Sequence, residues 1–222
     1  MVKGNFMIRT VLFDLDGTLA DTAPDLAYAL NTLLAEHHKP LLPYPTIRPV
    51  ASNGAAALIE LGFGVARTDP HFAPLRARFL ELYRAHLTRE TRLFPGMAEL
   101  LDAIAARGLN WGIVTNKPAF LTEPLVDQLG LREDLACVVS GDTTANPKPH
   151  PEPLLHACKL AGSRPHECLY IGDAARDIEA GRAAGMKTLV ALFGYIGAQD
   201  QPDTWGADGL IRAPGDALDW LD

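Results

Sequence analysis

Two carboxylates stand two positions apart in Asp14-Leu15-Asp16-Gly17-Thr18, directly after the short apolar run Ile8 to Phe13. Extended chain has a side-chain period of two, so both acids can face one side, and Gly17 permits the tight backbone turn that such a loop demands. As a fragment this reads equally well as an ordinary Asp-Gly turn. The whole stretch Asp14 to Asp21 is much harder to obtain that way. Three later loops carry further polar groups: Val114-Thr115-Asn116-Lys117, Asn146-Pro147-Lys148-Pro149, and Gly172-Asp173-Ala174-Ala175-Arg176-Asp177. Taken singly, Thr115-Asn116 or Asp173 could cap a helix and Lys148 could be a solvated lysine. Their joint order matters more, because each follows a predicted strand or lies where the chain returns to the same edge. Open α/β sheets bind ligands at the carboxyl ends of their strands.

The elements that must position these groups are predicted from periodicity. A helix is expected from Thr22, with Thr22 and Asp25 spaced as a capping box and Leu26, Ala29, Leu30, Leu33 and Leu34 at helical intervals. Prolines 40, 43, 45 and 49 stop it, and two more helical patterns follow near Gly54 to Leu61 and Leu75 to Leu87. After Phe94-Pro95-Gly96 helix and strand alternate. Strands are expected at Trp111 to Val114, Cys137 to Ser140, Cys168 to Ile171, Thr188 to Leu192 and Leu210-Ile211. Helices are expected near Met97 to Ala106, 119 to 129, 152 to 161 and 175 to 184. The reading is an α/β protein with a Rossmann-like parallel sheet, residues 1 to 19 and 92 to 222. An all-helical cap, residues 20 to 91, is inserted after the first strand. Residues 20 to 91 hold seven cations and seven anions, so the whole net charge of −7 falls on the core.

Composition excludes several classes. No cluster of Lys and Arg is present to neutralise a phosphate backbone, which argues against a nucleic-acid partner. No apolar run approaches a membrane span, and Ile8 to Phe13 is too short for a signal peptide, so a cytoplasmic protein is expected. Cys137, Cys158 and Cys168 are odd in number and lack a C-x-x-C spacing, so they are read as small buried hydrophobes. Residues 1 to 6 precede Met7 and are read as an extension outside the fold; nothing in the sequence sets an oligomeric state.

Across residues 14 to 177 the four motifs resemble those of haloacid dehalogenase superfamily phosphatases, in the phosphoglycolate phosphatase-like branch with a helical cap. That resemblance implies Asp14 as nucleophile, Asp16 as general acid and base, and Thr115, with Asn116 beside it, on the phosphate. It implies Lys148 as the neutralising cation, Asp173 as a magnesium ligand, and Asp177 as a support for Lys148 or the metal. Asp21 also fits the family motif, although a helix-start role is as good. One departure is Ala174, where many relatives carry Ser or Thr; it is expected to tune the site.

The physical logic agrees. A carboxylate approaching a phosphate meets about 4 kcal/mol of repulsion per charge pair at ~4 Å and an effective dielectric of ~20, so the site needs cations. Oxygen ligands from Asp14, Asp173 and the Asp16 backbone carbonyl suit magnesium. A halide leaves without protonation, so the presence of Asp16 favours phosphoryl transfer over dehalogenation. The expected partner is a small-molecule phosphate ester. Two stretches, Val114 to Pro118 and Gly194-Tyr195-Ile196 through Asp203 to Asp208, resemble the N-acetylmuramic acid 6-phosphate phosphatases of cell-wall recycling, which implies that ester ahead of phosphoglycolate. A sugar phosphomutase ranks lower, since nothing supplies control of water. A non-catalytic binding protein is disfavoured because Asp14, Asp16, Lys148 and Asp173 are all in place. Within the cap, Arg48 to Gly54 is either a specificity loop, with Arg48 and Asn53 on the substrate, or a proline-shaped connector.

Overall fold

The computed structural model describes residues 7–221, so the reading of residues 1 to 6 lies outside the described residues. The chain runs through β1 (Thr10–Phe13), β2 (Ala20–Asp21), α1 (Ala23–Glu36), α2 (Tyr44–Ile47), a 3₁₀ turn at Arg48–Asn53, α3 (Gly54–Phe63), α4 (Phe72–Arg84) and β3 (Arg92–Leu93). It continues with α5 (Met97–Ala106), β4 (Asn110–Val114), α6 (Ala119–Gln128), β5 (Cys137–Val139), α7 (Glu152–Leu160), β6 (Cys168–Gly172), α8 (Ala175–Ala184), β7 (Lys187–Ala191) and β8 (Gly209–Ile211).

The main sheet has the order β5-β4-β1-β6-β7-β8, and every pairing in it is parallel. All four residues of β1 are buried, which is why the strand reads as a continuous apolar run. The strand order reverses at β1, which lies between β4 and β6. Phe13 is in register with Ile113 on one side and with Ile171 on the other. The residues just past these three positions therefore emerge at one edge, and they include Asp14, Thr115 and Asp173. That is the switch-point crevice where such sheets take ligands.

Between β2 and β3 the chain is helical. Leu26, Leu30, Leu33 and Leu34 of α1 are buried with Phe79 and Tyr83 of α4 in a core cluster that also contains Val11 and Phe13. Truncating fully buried Leu30 to alanine would cost about 2–5 kcal/mol in such a setting. After α1 the chain is tied back by Asn31, whose side chain accepts from Leu42 N–H and donates to Leu42 C=O at 2.9 and 3.0 Å.

One local expectation is corrected. Thr22 does not cap α1 with its side chain. Its hydroxyl donates to Asp16 at 2.5 Å, and Asp25 instead accepts from Glu90 and Thr91 N–H, which ties the start of α1 to the segment before β3. The prolines after α1 end that helix, as expected, and two of them open the next turns. Pro45 and Pro49 occupy the first turns of α2 and of the Arg48–Asn53 3₁₀ helix, where a missing N–H costs no hydrogen bond. The antiparallel pair β2–β3, with Ala20 opposite Leu93, is too short to leave a periodic signal. The three cysteines are free and buried, and Trp111 packs edge-on against Phe13 in the core. Among the described residues no helix is long and apolar enough to cross a membrane.

Candidate active site

Asp14 follows β1 and is buried. Its Oδ1 accepts from Leu15 N–H at 2.8 Å and lies 2.9 Å from Lys148 Nζ. Lys148 is itself fixed from three further directions: Asp177 Oδ1 at 2.7 Å, the Val114 carbonyl at 2.8 Å and Tyr170 Oη at 2.7 Å. The Lys148 loop is anchored by Asn116, whose side chain pairs with both the N–H and the C=O of Lys148 at 3.0 and 2.9 Å. Asn116 therefore positions the lysine as well as lining the cavity above Asp14. Thr115 is buried, and its hydroxyl accepts from Lys117 N–H.

Asp173 follows β6. Its Oδ2 accepts from Tyr195 N–H and from Ser52 Oγ, both at 2.8 Å. Close packing dictates glycine at two neighbouring positions. Gly17 has φ of +83°, and a Cβ there would lie 2.1 Å from Asp173 Oδ2; a Cβ on Gly194 would lie 2.3 Å from the Gly17 carbonyl.

Asp14, Asp173 and Asp177 can each present a carboxylate oxygen within 4.8 Å of the others. Burial, then the charges of Asp14 and Asp177, push Asp173 up to about 7. Burial also raises Asp14, although Lys148 opposes it. The cluster is thus short of positive charge. Asp177 is committed to Lys148 and, through Oδ2, to Ala174 N–H, which leaves Asp14 and Asp173 as the acids able to accept a cation. The Ser52 hydroxyl touches both Asp173 Oδ2 and the Asp16 carbonyl, at 2.8 and 3.3 Å, so those two oxygens converge on one point. An all-oxygen, anionic donor set of this kind fits a hard divalent cation.

Asp16 is half-buried at the mouth of the cluster. Its Oδ1 accepts from Thr22 Oγ1 and from Lys117 Nζ, each at 2.5 Å. Lys117 also donates to Tyr83 Oη of α4 at 2.9 Å. Burial would lower the Lys117 ammonium, but Asp16 and Tyr83 outweigh it and hold it above its ordinary value. Burial pushes the Tyr83 phenol up to about 12. An ammonium held this firmly keeps Asp16 oriented toward the cavity that both acids line.

That cavity, about 560 Å³, has Asp14, Asp16, Thr115 and Asn116 on the sheet side. Its opposite wall comes from the helical segment, including Asn53, Phe72 and Phe79. Asn53 lines the cavity, but its Oδ1 accepts from Arg176, which also donates to the Ser52 carbonyl at 2.6 Å. Arg48 is not brought to the cavity. Its guanidinium donates to the Gly194 and Phe193 carbonyls at 3.0 and 3.2 Å and lies over the Tyr195 ring, so it clamps the helical segment to the core. The 3₁₀ winding of Arg48–Asn53 turns residues 48 and 53 to different neighbours. Lys117, Tyr83, Ser52 and Arg176 were given no role by sequence reasoning. Lys117, Arg176 and Ser52 lie inside segments already singled out, whereas Tyr83 is placed by packing alone.

A family model for haloacid dehalogenase-like hydrolases matches residues 11–191. The chain is 43% identical over 215 residues to the N-acetylmuramic acid 6-phosphate phosphatase of Pseudomonas aeruginosa, covering 97% of this chain and 95% of that one. It is also 43% identical over 213 residues to a phosphoglycolate phosphatase of Xylella fastidiosa, covering 96% and 93%. Among solved structures, a predicted phosphoglycolate phosphatase from Haemophilus somnus superposes with a TM-score of 0.86 at 27% identity, covering 97% of this chain and 98% of that one.

Proposed function

The chain belongs to the haloacid dehalogenase-like hydrolases, and from that premise we propose a phosphatase that opens N-acetylmuramic acid 6-phosphate through an aspartyl phosphate on Asp14. The observation that carries this is Asp14 held against Lys148 at the floor of a roofed cavity, with Asp16 at the same cavity's edge.

In this reading the Asp14 carboxylate attacks phosphorus while the Lys148 ammonium offsets the growing charge on the phosphoryl oxygens. Thr115 and the loop it opens hold the phosphate. Asp16 gives its proton to the departing sugar oxygen, and the carboxylate so formed takes a proton from the water that opens the aspartyl phosphate. Asp177 and Asn116 keep Lys148 in place. Asp14, Asp173 and the Asp16 carbonyl would hold magnesium, which when bound supplies charge neutralisation and polarises a phosphate oxygen. Residues 20–91 act as a cap that excludes bulk water and reads the organic part of the ester.

The cavity supports the sugar phosphate over phosphoglycolate. At about 560 Å³ with Phe72, Phe79 and Leu80 in its wall, it is sized for a ring and its substituents, and a two-carbon acid would leave most of it to water. Phosphate release from the two esters, with magnesium and with chelator, tests the reading. The sugar ester should show the higher kcat/KM, chelation should stop turnover, and Asp14→Asn should be inactive while still folded. Turnover by Asp14→Asn near the wild-type rate would refute the covalent route. A clear preference for phosphoglycolate would overturn the substrate.

A further inference from the structure

The outer part of the cavity carries two arginines that the reaction above does not use. Arg67 lies in the turn between α3 and α4, and Arg76 lies on α4; both line the cavity. Neither makes a hydrogen bond or ion pair with any described residue. Neighbouring charges are otherwise committed. Asp69 accepts from His71 N–H at 2.8 Å and from its ring, and Arg78, two residues beyond Arg76, is paired with Glu36 and Glu81. The acids that line the cavity are Asp14 and Asp16, both at the reacting end. In a chain of net charge −7, the far end of this cavity is therefore cationic and unpartnered.

Helix geometry gives the spacing. Tyr83, bonded to Lys117 and through it linked to Asp16, marks the end of α4 at the reacting centre. Arg76, Phe79, Leu80 and Tyr83 follow at the intervals that share one helix face, and all four line the cavity. Seven residues at 1.5 Å each put Arg76 about 10 Å along the helix from Tyr83.

Resting on the phosphatase reading, we propose that Arg67 and Arg76 form a second anion subsite, which takes a carboxylate at the end of the cavity about 10 Å along α4 from Tyr83. Guanidinium groups bind carboxylates bidentately, and two of them facing one cavity would select phosphate esters with a remote acid over those without. Phe79 and Leu80 between the two ends suit the apolar face of a ring. The lactyl acid of N-acetylmuramic acid 6-phosphate lies across the ring from the phosphate, whereas the acid of phosphoglycolate is too near its phosphate to reach both ends.

The test compares kcat/KM for N-acetylmuramic acid 6-phosphate with that for N-acetylglucosamine 6-phosphate, the same sugar without the lactyl acid. The wild-type protein should prefer the acid, and Arg67→Ala or Arg76→Ala should each lower that ratio about 10-fold, the usual weight of a charge-assisted hydrogen bond. The double variant should bring the ratio near one, and lysine at either position should restore part of it. A ratio that is unchanged in the variants, or near one in the wild type, overturns the subsite. Failure of the wild type on both sugars and on an aryl phosphate would instead count against the phosphatase reading. Calorimetric titration of Asp14→Asn with the two sugars reads the subsite without turnover: tighter binding of the acid that weakens in the arginine variants supports it, and equal Kd values overturn it.

Discussion

Asp173 offers a stability signature that does not depend on catalysis. Burial and the neighbouring Asp14 and Asp177 charges raise its carboxyl from 3.8 to about 7. Between those values the folded protein keeps a proton that the unfolded chain releases, so this stabilising contribution is complete below 3.8 and is lost as pH rises to about 7. At about 1.36 kcal/mol per pH unit the full loss is about 4 kcal/mol, and the portion between pH 5.5 and 7.5 is about 2 kcal/mol. Urea unfolding followed by tryptophan fluorescence in chelator, at pH 5.5, 6.5 and 7.5, should show the wild type losing that much relative to Asp173→Asn, which cannot titrate there. Magnesium should then raise the wild-type midpoint more at pH 7.5 than at 5.5, because proton and metal compete for one carboxylate. In Asp173→Asn the metal should do little. Parallel stability curves for the two proteins in chelator would refute the electrostatic reasoning, and equal metal effects in both would refute Asp173 as a ligand.

Asp16→Asn should lower kcat/KM far more for an alkyl phosphate than for a nitrophenyl phosphate, whose leaving oxygen needs little protonation; equal losses on both would remove Asp16 from the acid role. Lys148→Ala should cut kcat by about 10²–10³-fold, as loss of one charge-stabilising donor does. The same change should destabilise the fold by about 3–5 kcal/mol, because Asp14 and Asp177 are left buried without their cation. Arg48→Ala should cost about 1–3 kcal/mol of stability through its two lost carbonyl bonds and lower kcat/KM by a similar factor for every ester. A selective loss on the sugar phosphate would show that Arg48 reads substrate after all.

The sheet and its edge were readable from sequence because parallel strands buried on both faces leave uninterrupted apolar runs. The strands around residues 111, 138, 170 and 190 were accordingly located to within a residue or two. The same holds for α5, whose bounds match the periodicity of Met97 to Ala106. Asp14, Thr115 and Asp173 could be singled out because each follows such a run, whereas Lys148 lies well past β5 and is brought beside Asp14 by its loop. Short-range chemistry was less readable. Thr22 and Asp25 have capping-box spacing, yet the first bonds Asp16 and the second bonds residues 90 and 91, partners that only the folded loops bring within reach.

The Arg48 to Gly54 segment left two readings open for a different reason, and the structure separates its two residues: Asn53 lines the cavity and Arg48 does not. Arg48 and Asn53 lie in the segment between helices, but a 3₁₀ helix rotates successive side chains by about 120°, so adjacency in sequence says little about a shared direction. Arg48 turns to the Phe193 and Gly194 carbonyls, and Asn53 meets Arg176. Arg67 and Arg76 belong to no motif, and their approach to one cavity follows only from the way α3 and α4 pack above the sheet. In the proposed reaction Asp14 and Lys148 must sit at fixed points relative to phosphorus, whatever ester is bound. In the proposed subsite Arg67 and Arg76 need only match the rest of the ester, a constraint on distance and charge that many positions on α4 could meet. If the proposed subsite holds, substrate choice is written in tertiary placement, and the arginine variants are where it can be measured.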